Sequence, residues 1–173
     1  MADLDTARAG TLTADTPNGP FTAIYRNDGA VLASGWTDDP HYLLPLIHPT
    51  LRPGDLDHAV DKHDRRLRKA VEAYYEGEPT AVDDVLVVQS GGPFLEQAWK
   101  ALRTVGAGQT RTYTEFAELA GNGQAVRAAA AACARNAAAL FVPCHRILRS
   151  DGSLGGFRYG LETKRWLLDH EAR

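Results

Sequence analysis

Cysteine is scarce in this 173-residue chain: Cys133 and Cys144 are the only two. That is too few for the disulfide framework of a small secreted domain, so free thiols are expected. The two cysteines lack CxxC spacing. His58 and His63 stand five apart, which turns them off the common helix face that a spacing of four would give, so no metal and no cofactor is predicted. No apolar run approaches the roughly 18 residues that span a bilayer. The opening MADLDTARAG is polar and acidic, without the apolar stretch of a secretory signal. The expectation is a cytoplasmic chain with no membrane partner. Internal repeats are absent, and 44% hydrophobic with 24% charged residues is an ordinary globular composition.

Positive charge is short overall, with a net charge of −3, but the average hides an asymmetry. Residues 1–90 carry 8 Lys plus Arg against 15 Asp plus Glu; residues 91–173 carry 11 against 7. Ten of those 11 cations lie between Lys100 and Arg165, and eight of the ten are arginine, the side chain suited to phosphates and base edges. A solvated basic face is the plainer meaning of such a bias.

The pattern predicts an α+β fold in two parts. Residues 1–90 form an α/β N-terminal domain with a small sheet, and residues 91–173 a mostly helical C-terminal domain. The first ten to fifteen residues read as a flexible lead-in. FTAIYRNDGAVLASGW reads as a hairpin around Asn27-Asp28-Gly29. Pro40 to Pro53 reads as a connection, and Asp55 to Tyr75 as an amphipathic helix with Leu56, Val60, Leu67, Val71 and Tyr74 at helical spacing. Val85 to Val88 is a short strand, and Ser90 to Pro93 a linker. Helices follow over Phe94 to Val105, Thr112 to Leu119, Gln124 to Arg135 and Leu161 to His170. The middle pair, broken by Gly121-Asn122-Gly123, has the outline of a helix-turn-helix. RAAAAACAR, residues 127–135, is either a helix chosen for propensity and close packing or one whose methyl-sized side chains approach a minor groove, with Arg127 long enough to enter a base stack.

VPCHRILRSDGSLGGF, residues 142–157, sets Cys144 between a proline and a histidine. Thiolate is the reactive form of cysteine, and a free thiol is mostly protonated at neutral pH unless a neighbour helps. His145 is adjacent, but along a strand it would point to the opposite face, so a bridging water is one route for the proton. Glu171 is the obvious carboxylate to orient the imidazole. A packed small hydrophobe remains the plainer reading of the thiol.

PCHR at 143–146, with Ile147, DGSLGGFRYG and KRWLLDHE, resembles the O6-alkylguanine-DNA alkyltransferase family. PFLEQAWKAL, the segment from Gly108 to Tyr113, Arg127, Asn136 and Glu171 follow in the family's order, so the resemblance covers residues 91–171 well. The N-terminal half is much less specific.

The resemblance implies DNA repair: transfer of an alkyl group from O6-alkylguanine, and O4-alkylthymine, in double-stranded DNA to Cys144. Base flipping precedes transfer, self-inactivation follows it, and the protein is a monomer. It makes Cys144 the acceptor, His145 a water-mediated base, Glu171 its orienting partner, and Tyr113 the donor to the departing guanine. Arg127 would fill the gap in the stack, with Thr112, Tyr113, Ala128 and Ala129 also at the DNA. Asn136, Ile147, Ser150, Phe157 and Tyr159 would form the base pocket, and Arg146 would hold the loop. The sequence departs from the family at Ala137 and Gly106, where proline is usual, and at Phe157, where tyrosine is usual; the zinc-binding cysteines of some relatives are absent. Two other readings stay open: a cysteine hydrolase or acyltransferase using Cys144 and His145, and a damage-sensing DNA-binding protein that transfers nothing.

Overall fold

The computed structural model describes residues 8–58 and 60–173. Three strands, β1 (Arg8–Thr16), β2 (Gly19–Tyr25) and β3 (Val31–Gly35), run antiparallel in sequence, and β4 (Asp55–Asp57) pairs parallel with β1, giving the order β3-β2-β1-β4. The hairpin between β2 and β3 turns at Gly29, whose φ of +87° is a conformation that side chains resist. Every residue of β3 is buried, which accounts for its unbroken VLASG run. The predicted lead-in is corrected from residue 8 onward: Ala9, Thr11, Leu12 and Ala14 are buried in β1. Small and hydroxylated residues hid that strand from a hydrophobicity pattern. The part of the lead-in before residue 8 lies outside the described residues.

The long helix expected over Asp55 to Tyr75 is shorter. Helix α1 (Pro40–Leu43) lies within the connection, and α2 (Lys62–Tyr75) starts only at Asp61, whose carboxylate accepts from the backbone N–H of His63 and Asp64. Leu56 belongs to β4 and Val60 is exposed, whereas Leu67, Val71 and Tyr74 form the buried stripe. Val85 to Val88 makes only an isolated bridge, Val87 to Val31, since Val31 alone bonds it, donating to Leu86 O and accepting from Val88 N.

The second half holds α3 (Pro93–Leu102), α4 (Tyr113–Leu119), α5 (Val126–Ala134) and α6 (Leu161–Glu171), with β5 (Arg111–Thr112) paired parallel to β6 (Ile147–Leu148). Thr112 and Glu115 close a reciprocal capping box that starts α4. The larger core runs without interruption from Leu12, Phe21 and Val71 to Leu102, Phe116, Ala132 and Leu167. β3 reaches across directly: Ser34 N donates to Ala137 O at 2.8 Å, and its hydroxyl to Ala139 O at 2.7 Å. The sheet therefore braces the segment leading to Cys144. Among the described residues, no helix is long and apolar enough to cross a membrane.

Candidate active site

Residues 136–142 approach Cys144 as buried irregular chain, and Leu140 takes a φ of +78°, a strained conformation for a branched side chain. Asn136 ties this loop down: its Nδ2 donates to Val142 O at 2.8 Å, while its Oδ1 accepts from Ala138 N at 3.1 Å and from Gln89 Nε2 at 2.9 Å. Cys144–Arg146 then forms a 3-10 turn, because Arg146 N bonds Pro143 O and Ile147 N bonds Cys144 O, so the side chains do not alternate as they would along a strand. The turn leaves Cys144 lining a cavity and carries His145 inward to 0% exposure.

His145 Nε2 lies 2.7 Å from Glu171 Oε1. The same carboxylate accepts from Arg146 Nε at 2.9 Å, Arg146 Nη2 at 3.0 Å and Tyr74 hydroxyl at 2.8 Å. Burial alone would raise the Glu171 pKa, but its bonds to His145 and Arg146 outweigh it and hold the carboxyl at about 2. An ionised carboxylate only accepts, so Nε2 carries the proton of the bond. Burial pushes the imidazole pKa down despite Glu171, which keeps the ring neutral. Nδ1 is then the lone-pair nitrogen, and it is buried with no protein partner. That atom can take a proton, and the ionised Glu171 would stabilise the resulting imidazolium.

The cavity of about 450 Å³ is lined by Tyr113, Cys133, Asn136, Cys144, Phe157, Arg158 and Tyr159, with Ala130, Ala134 and Ala139 among others. Burial raises the Cys144 thiol pKa, against the pull of an Asn136 side-chain hydrogen bond and the Lys164 and Arg158 cations. Burial and the nearby cysteines raise the Tyr113 phenol, so it keeps its proton. Ring contacts Trp36–Phe157 at 5.9 Å and Trp36–Tyr159 at 5.3 Å fix the far wall from the first half of the chain. Tyr159 packs so closely on the α-carbon of Gly35 that any β-carbon there would collide with it. Phe157 thus keeps its packing without a hydroxyl.

Not every expected residue lies at the cavity. Ile147 is fully buried, and Ser150 is exposed on the turn beyond β6; neither lines it. Ala129 is fully buried in the core with Ala132, so the exposed face of α5 carries Arg127, Ala130 and Ala134 instead. Ala128 is half-buried beside that face, and Thr112 is spent on the cap. Arg127 is exposed near the N-terminus of α5, where the helix dipole disfavours a cation, and it has no hydrogen-bond or ion-pair partner among the described residues. Sequence reasoning missed Arg158, Cys133 and Lys164. Lys164 is 0% exposed, with Nζ donating to Ile147 O at 2.7 Å and Leu154 O at 2.5 Å, pinning the turn between β6 and α6. Only its place on the inner face of α6 could have marked it.

Residues 93–173 match the family model described as 6-O-methylguanine DNA methyltransferase, DNA binding domain. A methylated-DNA–protein-cysteine methyltransferase of Mycobacterium bovis is 36% identical over 159 residues, 92% of this chain and 90% of that protein. The protein of the same name from Shigella flexneri is 30% identical over 156 residues, 90% of this chain and 91% of that one. Among solved structures, Mycobacterium tuberculosis OGT in complex with DNA superposes with a TM-score of 0.76 at 29% identity, covering 94% of this chain and 92% of that one. With likeness of that extent over both halves, the chain belongs to the methylated-DNA–protein-cysteine methyltransferase family.

Proposed function

We propose that this protein repairs DNA by moving an alkyl group from the O6 oxygen of guanine, and from the O4 oxygen of thymine, onto Cys144, once per molecule. The observation that carries the reading is the Cys144 thiol lining the cavity, next in chain to a neutral His145 whose Nδ1 is buried without a partner among the described residues. Residues 91–173 bind and react, and residues 1–90 brace them; the protein acts as a cytoplasmic monomer. Duplex DNA lies against α4 and α5, with Arg127 taking the place of the extruded nucleotide and offsetting an unstacking cost of a few kcal/mol, roughly. The exposed methyl groups of Ala130 and Ala134 let the groove approach closely. The flipped base enters between Tyr113, Phe157 and Tyr159.

The thiol proton passes to His145 Nδ1 through a bridging water, and Glu171 balances the imidazolium. Sulfur attacks the alkyl carbon, the C–O bond electrons return to the guanine ring, and the Tyr113 hydroxyl supplies the ring with a proton that is replaced from His145 or solvent. Net, one S–H and one C–O bond give way to one S–C and one N–H bond. No step regenerates the thiol, so the protein is consumed. Both thiols line the cavity and burial raises both, so the choice of Cys144 rests on its place next to His145. Intact mass before and after exposure to a duplex with a single O6-methylguanine should therefore rise by one CH₂, with peptide mapping placing it on Cys144. An unchanged mass in reduced protein, or a label on Cys133, refutes the assignment. A cysteine hydrolase would instead turn over an ester and leave the mass as it was.

A further inference from the structure

Tyr74 and Tyr75 close α2, and both rings are tied to other parts of the chain. Tyr75 donates its hydroxyl to Asn18 Oδ1 at 2.9 Å and accepts from Trp36 Nε1 at 2.8 Å, all within the first half. Tyr74, fully buried, reaches 97 residues along the chain to Glu171 Oε1 at 2.8 Å. Its backbone carbonyl also accepts from His170 Nε2 at 2.7 Å. The His170 ring packs against Tyr74 and stacks on Trp166 at 4.8 Å. Two successive residues of α6 are thus held by one residue of α2, and this is not a passing contact.

Oε1 of Glu171 receives three donors: His145 Nε2, Arg146 Nη2 and the Tyr74 hydroxyl. Each draws on the same negative charge, so what Tyr74 takes His145 does not feel. Burial and Glu171 hold the phenol in its protonated form, which makes it a permanent donor. We propose that Tyr74 is a positioning residue for alkyl transfer, its hydroxyl orienting Glu171 and withdrawing part of the charge that Glu171 would otherwise place on His145. This rests on the reading of His145 as the base. The charged and titratable groups facing this cluster are Arg146 in the 3-10 turn, Asp83 after the first half's last turn, Tyr75 beside Tyr74, His170 packed on the Tyr74 ring, and Lys164 toward His145.

Tyr74→Phe removes the donor and keeps the ring. Glu171 then favours the imidazolium more strongly, so the pH at which His145 titrates rises, by roughly half a unit or more. Single-turnover transfer from a duplex with one O6-methylguanine at saturating DNA should slow about threefold on the acid side of the profile, where the ring is protonated, and little above it, with DNA affinity unchanged and the rising limb moved upward. Tyr75→Phe removes a hydroxyl one residue away and should leave that midpoint in place. NMR titration of the His145 ring reads the same shift without activity. If the wild type transfers nothing, the functional reading falls, and an unmoved His145 midpoint in Tyr74→Phe is what overturns the present inference. A slower variant whose midpoint stays put while stability and DNA affinity fall together overturns it too, because that is a packing effect. Should Tyr74→Phe fail to fold, a fluorotyrosine at position 74, a stronger donor of nearly the same shape, must shift the midpoint downward; no shift overturns the inference.

Discussion

Arg146→Met tests the buried charge cluster behind the cysteine. The guanidinium is 3% exposed and donates to both oxygens of Glu171 and, through Nη1, to Val105 O at 2.6 Å. Methionine fills similar volume but leaves Glu171 charged, buried and short of its cation. Breaking one partner out of such a pair costs about 3–5 kcal/mol. The carboxylate gives an independent figure: a pKa held at about 2 against an ordinary 4.5 corresponds to about 3 kcal/mol at neutral pH. That second figure is shared between His145, its larger contributor, and Arg146, so only part of it goes with the guanidinium, and it does not add to the first. Because the folded pKa is depressed, this stability is present in full above the unfolded value and drains away as pH falls toward 2. The wild type should therefore lose about 2 kcal/mol of this contribution between neutral pH and pH ~3, and the variant, whose Glu171 is no longer held so low, should lose less. Urea unfolding followed by tryptophan fluorescence at both pH values measures the difference. A gap under about 1 kcal/mol at neutral pH, or one that does not narrow in acid, would refute the reasoning.

Other outcomes follow from the same geometry. Arg127→Ala should weaken binding to duplex DNA and slow repair there far more than it slows reaction with free O6-benzylguanine; equal losses on both substrates would contradict insertion into the stack. Lys164→Met strands the carbonyls of Ile147 and Leu154 in the interior and should cost about 2–4 kcal/mol, read as a lowered urea midpoint, with slower transfer as the turn beside the cavity loosens. A stability loss below about 1 kcal/mol would mean that solvent reaches those carbonyls.

What was legible in the sequence is what is local. The hairpin turn at Gly29, the four helices of the second half and the residues flanking Cys144 all announce themselves within a few positions. β1 did not, because Ala and Thr pack between a sheet and a helix without forming an apolar run. The helix expected to begin at Asp55 failed for a related reason: Leu56 fits a helical spacing but its backbone pairs with Ala9. Long-range pairing leaves no mark on a window of residues. The same holds within the site, where Tyr74 and Ser34 reach it from the first half and Lys164 looks like any other cation on a helix.

Ala137 stands where the family usually has proline, and the loss of a ring-fixed φ would by itself free the loop before the cysteine. The structure supplies a compensation that proline forbids. Ala137 keeps its backbone N–H, which donates to Gln89 Oε1 at 3.0 Å, while Gln89 Nε2 donates to Asn136 Oδ1 at 2.9 Å. One side chain from the segment before α3 thus clamps two consecutive residues of the loop, and Ser34 binds Ala137 from the other side. A proline restrains one φ angle; these bonds fix the loop against two separate elements. The departure therefore moves the source of rigidity from the covalent chain to its neighbours, and it makes the loop depend on contacts from the first half of the protein. That dependence is the same one the Tyr74–Glu171 bond expresses, so the first ninety residues hold both the loop before the cysteine and the carboxylate behind its histidine.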